Sequence, residues 1–450
     1  MSRARLVLAA MSLPLLALSI DVSGAGVLLP AIGKDLHLGA GGLAWVMNAS
    51  ALAFGATLVA VGRVADRLGP RRLLLGGIVA FGAASLLCGL APVATVLIVG
   101  RLAQGLASSL VFTTSLTVID TLFDDAHRPG AIGIWGAVGG AGSALGPLVA
   151  GLLAAGASWR WFFMINVPLC LVAVPIVAAL VPADRPSAER EPLSWGRLSV
   201  LAVGFVALSV AAGRAASSGW SSPGVVVGAA VTAGALAVLV AVRRRGGPAL
   251  FSPAVTASRW FGPGLVIAFC SNWGFGVTIV VMSEYLQQVR GQSAALAGVV
   301  TLAFSATFAA AGLVTGLLVR RLGMAVTLAA AMVLCAGAFA LRIGLDAATG
   351  IVLVVAGLGV GGLGQGLAFD ASTAASLEDV PTAAAGAATG IIQSVRLLGL
   401  VLGVAVSASL GSGRHLASGV RAAMALSLVL AVVAIAGVRL RAGWAVASGR

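Results

Sequence analysis

Asp21 and Arg101 are the side chains of this sequence best placed to do chemistry, because each stands inside a long apolar run. An ionised group in the middle of a lipid bilayer costs at least ~2.5 kcal/mol unless it is paired or hydrated. At the helical rise per residue, Asp21 lies roughly 15 Å from the outer end of its run and Arg101 about 8–10 Å from the outer end of its own. The two share a depth and can meet. Desolvation favours the neutral carboxyl of Asp21 and a neighbouring Arg101 favours the carboxylate, which makes Asp21 the candidate proton carrier, its charge switched by conformation. A permanent structural pair is the alternative. Arg396 and Gln393 sit near the middle of a later run with no carboxylate obvious beside them, and bracing the bundle by binding bare helix carbonyls is the role expected of them. Asp120, Glu284 and Asp370 fall near run ends, where a solvated or capping carboxylate competes with any role inside the membrane.

Other chemistries lack their residues. Cys88, Cys170, Cys270 and Cys335 each stand alone in apolar runs, and His37, His127 and His415 fall in polar connections, so no metal site and no redox pair is expected. The sole lysine, Lys34, is followed by Asp35, which rules out a phosphate loop ending in Gly-Lys-Ser/Thr. GLGVGG at 357–362 matches a dinucleotide fingerprint in letters only, since it lies in an apolar run without the required strand. Neither a Ser/His nor a His/Glu constellation occurs within the runs, so an enzyme is not expected, and no cofactor. The formal charge of +14 could suggest nucleic acid, but the basic residues punctuate apolar segments instead of clustering on one face.

The elements that must position these residues are membrane helices. Sixty per cent of the residues are hydrophobic and only 9% are charged, which excludes a water-soluble fold. Every backbone amide in the hydrocarbon must bond within its own segment, and about 20 apolar residues are needed to cross. Fourteen runs qualify: 6–31, 43–62, 72–91, 96–119, 130–155, 162–181, 197–213, 223–242, 262–283, 294–318, 324–342, 350–371, 383–410 and 420–438. The seventh and eleventh are weakest, which leaves a twelve-helix reading open. Arg3 and Arg5 precede the first run as in a signal peptide, yet no convincing cleavage site follows, so it is expected to remain as the first helix. With the N-terminus inside, nineteen Arg/Lys fall in inner segments, seven in outer ones and two within helices. Both termini are therefore expected in the cytoplasm. The polar connection 182–196 and the basic stretch 243–260 bracket a helix pair, dividing the chain into a six-helix bundle (1–182), an inserted section with two helices (183–260), a second six-helix bundle (261–438) and a tail (439–450). One faint repeat links GRVADRLGPRR at 62–72 to GLLVRRLG at 316–323.

GRVADRLGPRR joins a close-packing Gly62 to Asp66, Arg67, a tight turn at Gly69-Pro70 and the basic pair Arg71/Arg72. An acid and a base at that spacing can lock two helix ends and release them; a positive-inside loop with one incidental acid is the alternative. The string resembles the cytoplasmic signature of the major facilitator superfamily, Gly-x-x-x-Asp-Arg-x-Gly-x-Arg-Arg. IVGRLAQGLASS at 98–109 is similar to the family's fourth-helix motif, with Arg101 as buried cation beside Gln104. GIWGAVGGAGSALGPLVAG at 133–151 resembles the fifth-helix antiporter motif. In it Gly142/Gly146 permit close backbone approach, and Pro147 removes a helix hydrogen bond. SWRWFFMINVP at 158–168 and SIDVSGAGVLLP at 19–30 resemble the fourteen-helix drug:proton antiporter branch. Asp370 stands where that branch often has proline.

The resemblance implies two six-helix bundles plus an inserted pair, alternating access, and a cavity lined by helices one, four, nine and twelve. Candidates for that cavity are Trp45, Phe112, Gln104, Trp273, Glu284 and Asp370, with lipid contact or core packing as the alternative for the aromatics. It also implies export of small amphipathic molecules in exchange for protons, by a monomer in the bacterial cytoplasmic membrane. Proton-coupled uptake of a nutrient or metabolite on the same fold is the second reading.

Overall fold

A computed structural model describes residues 3–38, 40–124, 127–184, 194–245, 255, 258–292, 294–346, 348–381, 384–410, 421–422 and 424–435. Every regular element among them is helical. Thirteen helices are long and apolar enough to cross a membrane, and a shorter apolar helix, Met424–Ile435, occupies part of the fourteenth expected span. The chain is a multi-pass membrane protein. Both weak runs are full helices, α9 (Trp195–Ser218) and α13 (Met324–Ile343), so the twelve-helix reading falls away. His415, the section 246–254 and the tail lie outside the described residues.

The first expected helix is interrupted. α1 (Arg3–Gly24) gives way to a 3-10 turn over Ala25–Leu28 before α2 (Leu29–Asp35). This break falls just beyond Asp21. α3 (Ala40–Leu68) and α4 (Pro70–Gly89) are joined at Gly69, whose φ of 97° no side-chain-bearing residue adopts comfortably. Pro70 starts α4 where a missing N–H costs nothing. The faint sequence repeat reappears at Gly323, with φ 82°, between α12 (Ala294–Leu322) and α13. α5 (Ala94–Leu122), α6 (Arg128–Gly156), the short α7 (Trp159–Met164) and α8 (Asn166–Leu180) follow α4. α6 stays helical through Pro147. α10 (Pro223–Arg244), α11 (Phe261–Glu284), α14 (Ile351–Leu377), α15 (Ala385–Leu410) and α16 (Met424–Ile435) complete the described elements.

The chain forms two compact units. The first comprises Met1–Asp124, Val138–Leu198 and Pro381–Ile391. In it α5 packs on α3 and α4, and α8 on α1 and α4, around a core that includes Ile20, Leu28, Val46, Leu97, Phe162 and Phe163. α6 meets α1 through the antiporter-like glycines: a Cβ at Gly142 would stand 2.9 Å from the Leu16 carbonyl, and one at Gly146 2.7 Å from that of Ile20. The second unit comprises Asp125–Ala137, Ser199–Val380 and Ile392–Arg450. There α14 packs on α11, α12 and α13. The first turns of α6 thus belong to the second unit and those of α15 to the first. Glycine is the reason: Gly133 abuts Gly312 of α12, and Gly386 abuts Gly62 of α3, so each first turn lies backbone to backbone on a helix of the unit it joins.

Candidate functional site

Within the first unit, α1 and α5 bring Asp21 and Arg101 together as their depths require. The Arg101 Nη1 donates to Asp21 Oδ2 at 2.5 Å, and both side chains are 2% exposed. α5 adds Gln104 one turn on, which accepts from Arg101 Nη1 at 2.9 Å and donates from Nε2 to Asp21 Oδ1 at 3.4 Å and to Ser85 Oγ of α4 at 2.9 Å. The Arg101 Nε donates to the Val46 carbonyl of α3, and its guanidinium stands 5.6 Å from the centre of the Phe163 ring. Asn166 of α8 donates to the same Ser85 hydroxyl. Five helices and the short α7 thus meet at one sealed polar centre in which both carboxylate oxygens of Asp21 are engaged. Gln104, expected in the cavity, belongs to this centre. Removing one partner of such a buried pair strands the other at a cost of about 3–5 kcal/mol.

The GRVADRLGPRR string is wired differently from expectation. Arg71 and Arg72 do not bind Asp66. Their backbone N–H groups donate to Asp184, at 2.9 and 3.0 Å, and the Arg71 Nη2 reaches the Ala178 carbonyl at 2.5 Å. These two N–H groups are orphan donors at the start of α4, and a carboxylate satisfies them better than water does. Asp66 serves the start of another helix: it accepts from Gly386 N at 2.8 Å and Ala387 N at 2.9 Å, capping α15 from α3. The close approach that this needs is supplied by Gly62 and Gly386.

SWRWFF also acquires a physical role. Ser158 accepts from Arg160 N and starts α7, which presents Arg160 to Asp35 at the end of α2. The Asp35 carboxylate takes Arg160 Nη1 at 2.5 Å and Trp159 Nε1 at 3.2 Å. The Arg160 guanidinium beside it, and then the indole N–H, hold the Asp35 carboxyl below the usual carboxylate range.

The second unit holds a cation that the sequence reading assigned to an outer loop. Arg342, in the last turn of α13, is 1% exposed and donates to Thr278 Oγ1 of α11 at 2.9 Å and to the Gly357 carbonyl of α14 at 2.7 Å. A helix-end arginine reads as solvated; the available signal was a repeat. GRLAQGLA at 100–107 recurs as GGLGQGLA at 361–368, aligning Gln104 with Gln365 and Arg101 with Gly362. Cys88 and Arg342 stand equally far beyond the turn glycines Gly69 and Gly323. A Cβ at Gly100 would meet the Cys88 sulfur and one at Gly361 the Arg342 guanidinium. Gly274 takes the place of Asp21, since its Cβ would lie 3.2 Å from Gln365 Nε2. The second unit therefore carries a guanidinium from the neighbouring helix and no carboxylate at the equivalent point.

The remaining candidates scatter. Trp273 is core, its Nε1 donating to Ser427 Oγ. Trp45 is 53% exposed, and Phe112 stacks edge-on against Phe54. Glu284 closes α11, and its side chain lies outside the described residues. Asp370 is buried, as are Arg396 and Gln393. Arg396 braces α14 as expected, donating to the Phe369 carbonyl and, at 2.8 and 2.6 Å, to Ser372 Oγ and Thr373 Oγ1. Among the described residues no group of His, Cys, Asp and Glu could hold a metal ion.

Thirteen apolar helices among the described residues, with a sealed carboxylate–guanidinium centre inside the first unit, define a polytopic protein of the secondary-transporter type. The sequence model of the Major Facilitator Superfamily matches residues 12–404, with a second match over 264–445, and the chain belongs to that family. It is 32% identical over 409 residues to the multidrug resistance protein Stp of Mycobacterium tuberculosis, covering 90% of this chain and 75% of that one. To the puromycin resistance protein pur8 of Streptomyces alboniger it is 32% identical over 404 residues, 88% of this chain and 79% of the relative. The human organic anion transporter MFSD10 shares the fold, with a TM-score of 0.69 at 16% identity over 97% of this chain and 98% of the other.

Proposed function

We propose that the protein exports small amphipathic, drug-like molecules from the bacterial cytoplasm in exchange for protons, with Asp21 as the carrier whose charge Arg101 and Gln104 control. The observation that carries this reading is the Asp21–Arg101–Gln104 centre: an acid sealed from water, with each oxygen held by a donor on a different side chain, costs little to keep ionised and can take a proton only when the donors withdraw. The resistance proteins to which the chain is similar support the cargo class. On this reading the helices of 1–182 and 261–438 alternate access, Asp66 latches an inner helix end, and both termini lie in the cytoplasm of a cell whose inner membrane holds the monomer. The positive-inside count supports that orientation.

The test has two arms. An efflux-deficient bacterial host expressing the protein is exposed to puromycin, tetracycline, rifampicin and ethidium, and raised tolerance to at least one is expected. The compound with the largest shift is then used in proteoliposomes under an imposed pH gradient. Wild type is expected to concentrate it, and Asp21→Asn to lose uphill transport while retaining substrate binding. Uptake of a nutrient in place of export would favour the symport reading, and unchanged proton-driven transport by Asp21→Asn would remove Asp21 from the mechanism.

A further inference from the structure

Asp370 differs from Asp21 in one decisive respect. It is 1% exposed on α14, and its Oδ1 has no hydrogen-bond partner. That oxygen points at Gly136 of α6, at a spot any Cβ there would occupy. Both residues belong to the second unit. The cation nearest along the fold does not supply the missing partner. Arg396 of α15 gives its Nη groups to neutral acceptors, the Phe369 carbonyl, Ser372 Oγ and Thr373 Oγ1 on α14, and Gln393 Oε1 at 3.3 Å on its own helix, while its buried Nε has no hydrogen-bond partner and reaches neither oxygen of Asp370. Its guanidinium also lies 3.8 Å over the Phe369 ring. Of the other ionisable groups on the helices packed around α14, Cys270 of α11 packs in one cluster with Ala368 and Ala371, beside the level of Asp370, while Glu284 ends α11, Arg320 and Arg321 end α12, Cys335 and Arg342 lie on α13, and Arg128 starts α6, its Nη1 reaching the Leu377 carbonyl.

A bare carboxylate oxygen sealed against a glycine backbone is among the costliest arrangements in a protein, whereas a carboxylic acid fits the same space without that penalty. We propose that Asp370 is a second proton-binding carboxyl of the transport cycle, loaded in the conformation in which Asp21 is ionised. The first turns of α6 form its seal. When they leave α14, water reaches Asp370 and its proton departs, with Arg396 nearby to stabilise the anion; when they return, Asp370 must take a proton again. Gly136 is then required because a side chain would occupy the acid's place. This rests on the proton-coupled reading above and adds to it a second carrier and a stoichiometry of two protons per substrate.

Two measurements test it. Infrared spectra of the purified protein in lipid nanodiscs at neutral pH, with no substrate added and Asp120→Asn as the common background because Asp120 is also buried, are expected to show a carboxylic-acid carbonyl band that persists when Asp21→Asn is added and vanishes when Asp370→Asn is added. A background protein without that band, or a band lost with Asp21→Asn and kept with Asp370→Asn, would overturn the assignment. In proteoliposomes, the pH gradient that just balances a fixed gradient of the compound selected in the susceptibility panel gives the proton count. Two are expected for wild type and Asp370→Glu, and one for Asp370→Asn. A wild-type count of one, or an Asp370→Asn count equal to wild type, sinks the second carrier and leaves Asp21 standing. A wild-type count of zero sinks proton coupling itself. Should Asp370→Asn fail to insert, the wild-type count and Asp370→Ser carry the same comparison.

Discussion

Replacing Asp66 by asparagine isolates the latch between α3 and α15. The carboxylate accepts two backbone N–H groups at the start of α15, one on each oxygen. Asparagine keeps one acceptor and turns the other into a donor that faces the Ala387 N–H. A hydrogen bond to a charged group is worth about 1.5–3 kcal/mol, and a negative charge at a helix N-terminus adds about 0.3–1 kcal/mol. Discounting for the partial exposure of Asp66, losing one bond and the charge costs about 2 kcal/mol, or roughly 30-fold in the equilibrium between latched and released helix ends. Ala388, one residue beyond the latch, is fully buried, so its exposure reports release. With the four native cysteines replaced, Ala388→Cys in everted vesicles is expected to react with an impermeant maleimide about 30-fold faster when Asp66→Asn is added, provided labelling is limited by the released population. Turnover should fall while substrate affinity from the outer side stays near wild type. Arg71→Ala and Arg72→Ala should leave the labelling rate within about twofold, because their backbone N–H groups, which bind Asp184, survive the substitution. Unchanged labelling in Asp66→Asn, or equal acceleration in the arginine variants, would refute the latch and restore the acid–base pairing read from the sequence.

Arg101→Ala is expected to destabilise the first unit by about 3–5 kcal/mol, read as a lowered thermal midpoint in detergent, and pairing it with Asp21→Asn should recover much of that loss, since the stranded carboxylate is then gone. The Asp35–Arg160 clamp should matter only above the acid range. Its folded-state carboxyl titrates lower than the unfolded one, so its stabilising effect is present above about pH 4 and is lost as pH falls through the folded value; Asp35→Asn should flatten that part of a thermal-midpoint-versus-pH profile. Val231→Ala, on the exposed face of α10, should cost little transport activity, whereas substrate-specific loss there would bring the inserted pair into the pathway. Cysteines placed in 182–196 or 243–260 should resist an impermeant thiol reagent in intact cells, and ready labelling would reverse the proposed topology.

The helices were legible because the bilayer makes a single demand, a long apolar run, and the sequence meets it plainly. The Asp21–Arg101 centre was legible for a related reason: two charges at one depth with nothing else ionised near them have few other partners. Asp66 was not. Its spacing to Arg71 and Arg72 fits a local pair, but the chain reverses at Gly69, Asp184 takes the first amides of α4, and the partners of Asp66 include backbone groups 320 and 321 residues away. A backbone donor leaves no letter to read. Arg342 was hidden by its position in the last turn of α13, where hydropathy counts it as an outer-loop residue. The repeat that sets Arg342 opposite Cys88 hints that it stays inside, and the acceptors on α11 and α14 show it.

The string shared around Gln104 and Gln365 does not make the second half able to accept the polar centre of the first. Restoring an acid in the second half by Gly274→Asp would drive the new side chain into Phe339, which stands 2.4 Å from an added Cβ and occupies the place that Ser85 has in the first half. Restoring the cation by Gly362→Arg would collide with the Phe304 carbonyl of α12, while Arg342 already fills the space beside Gly361. Neither substitution fits without a further change beside it, so the centre cannot be grafted onto the second half one residue at a time.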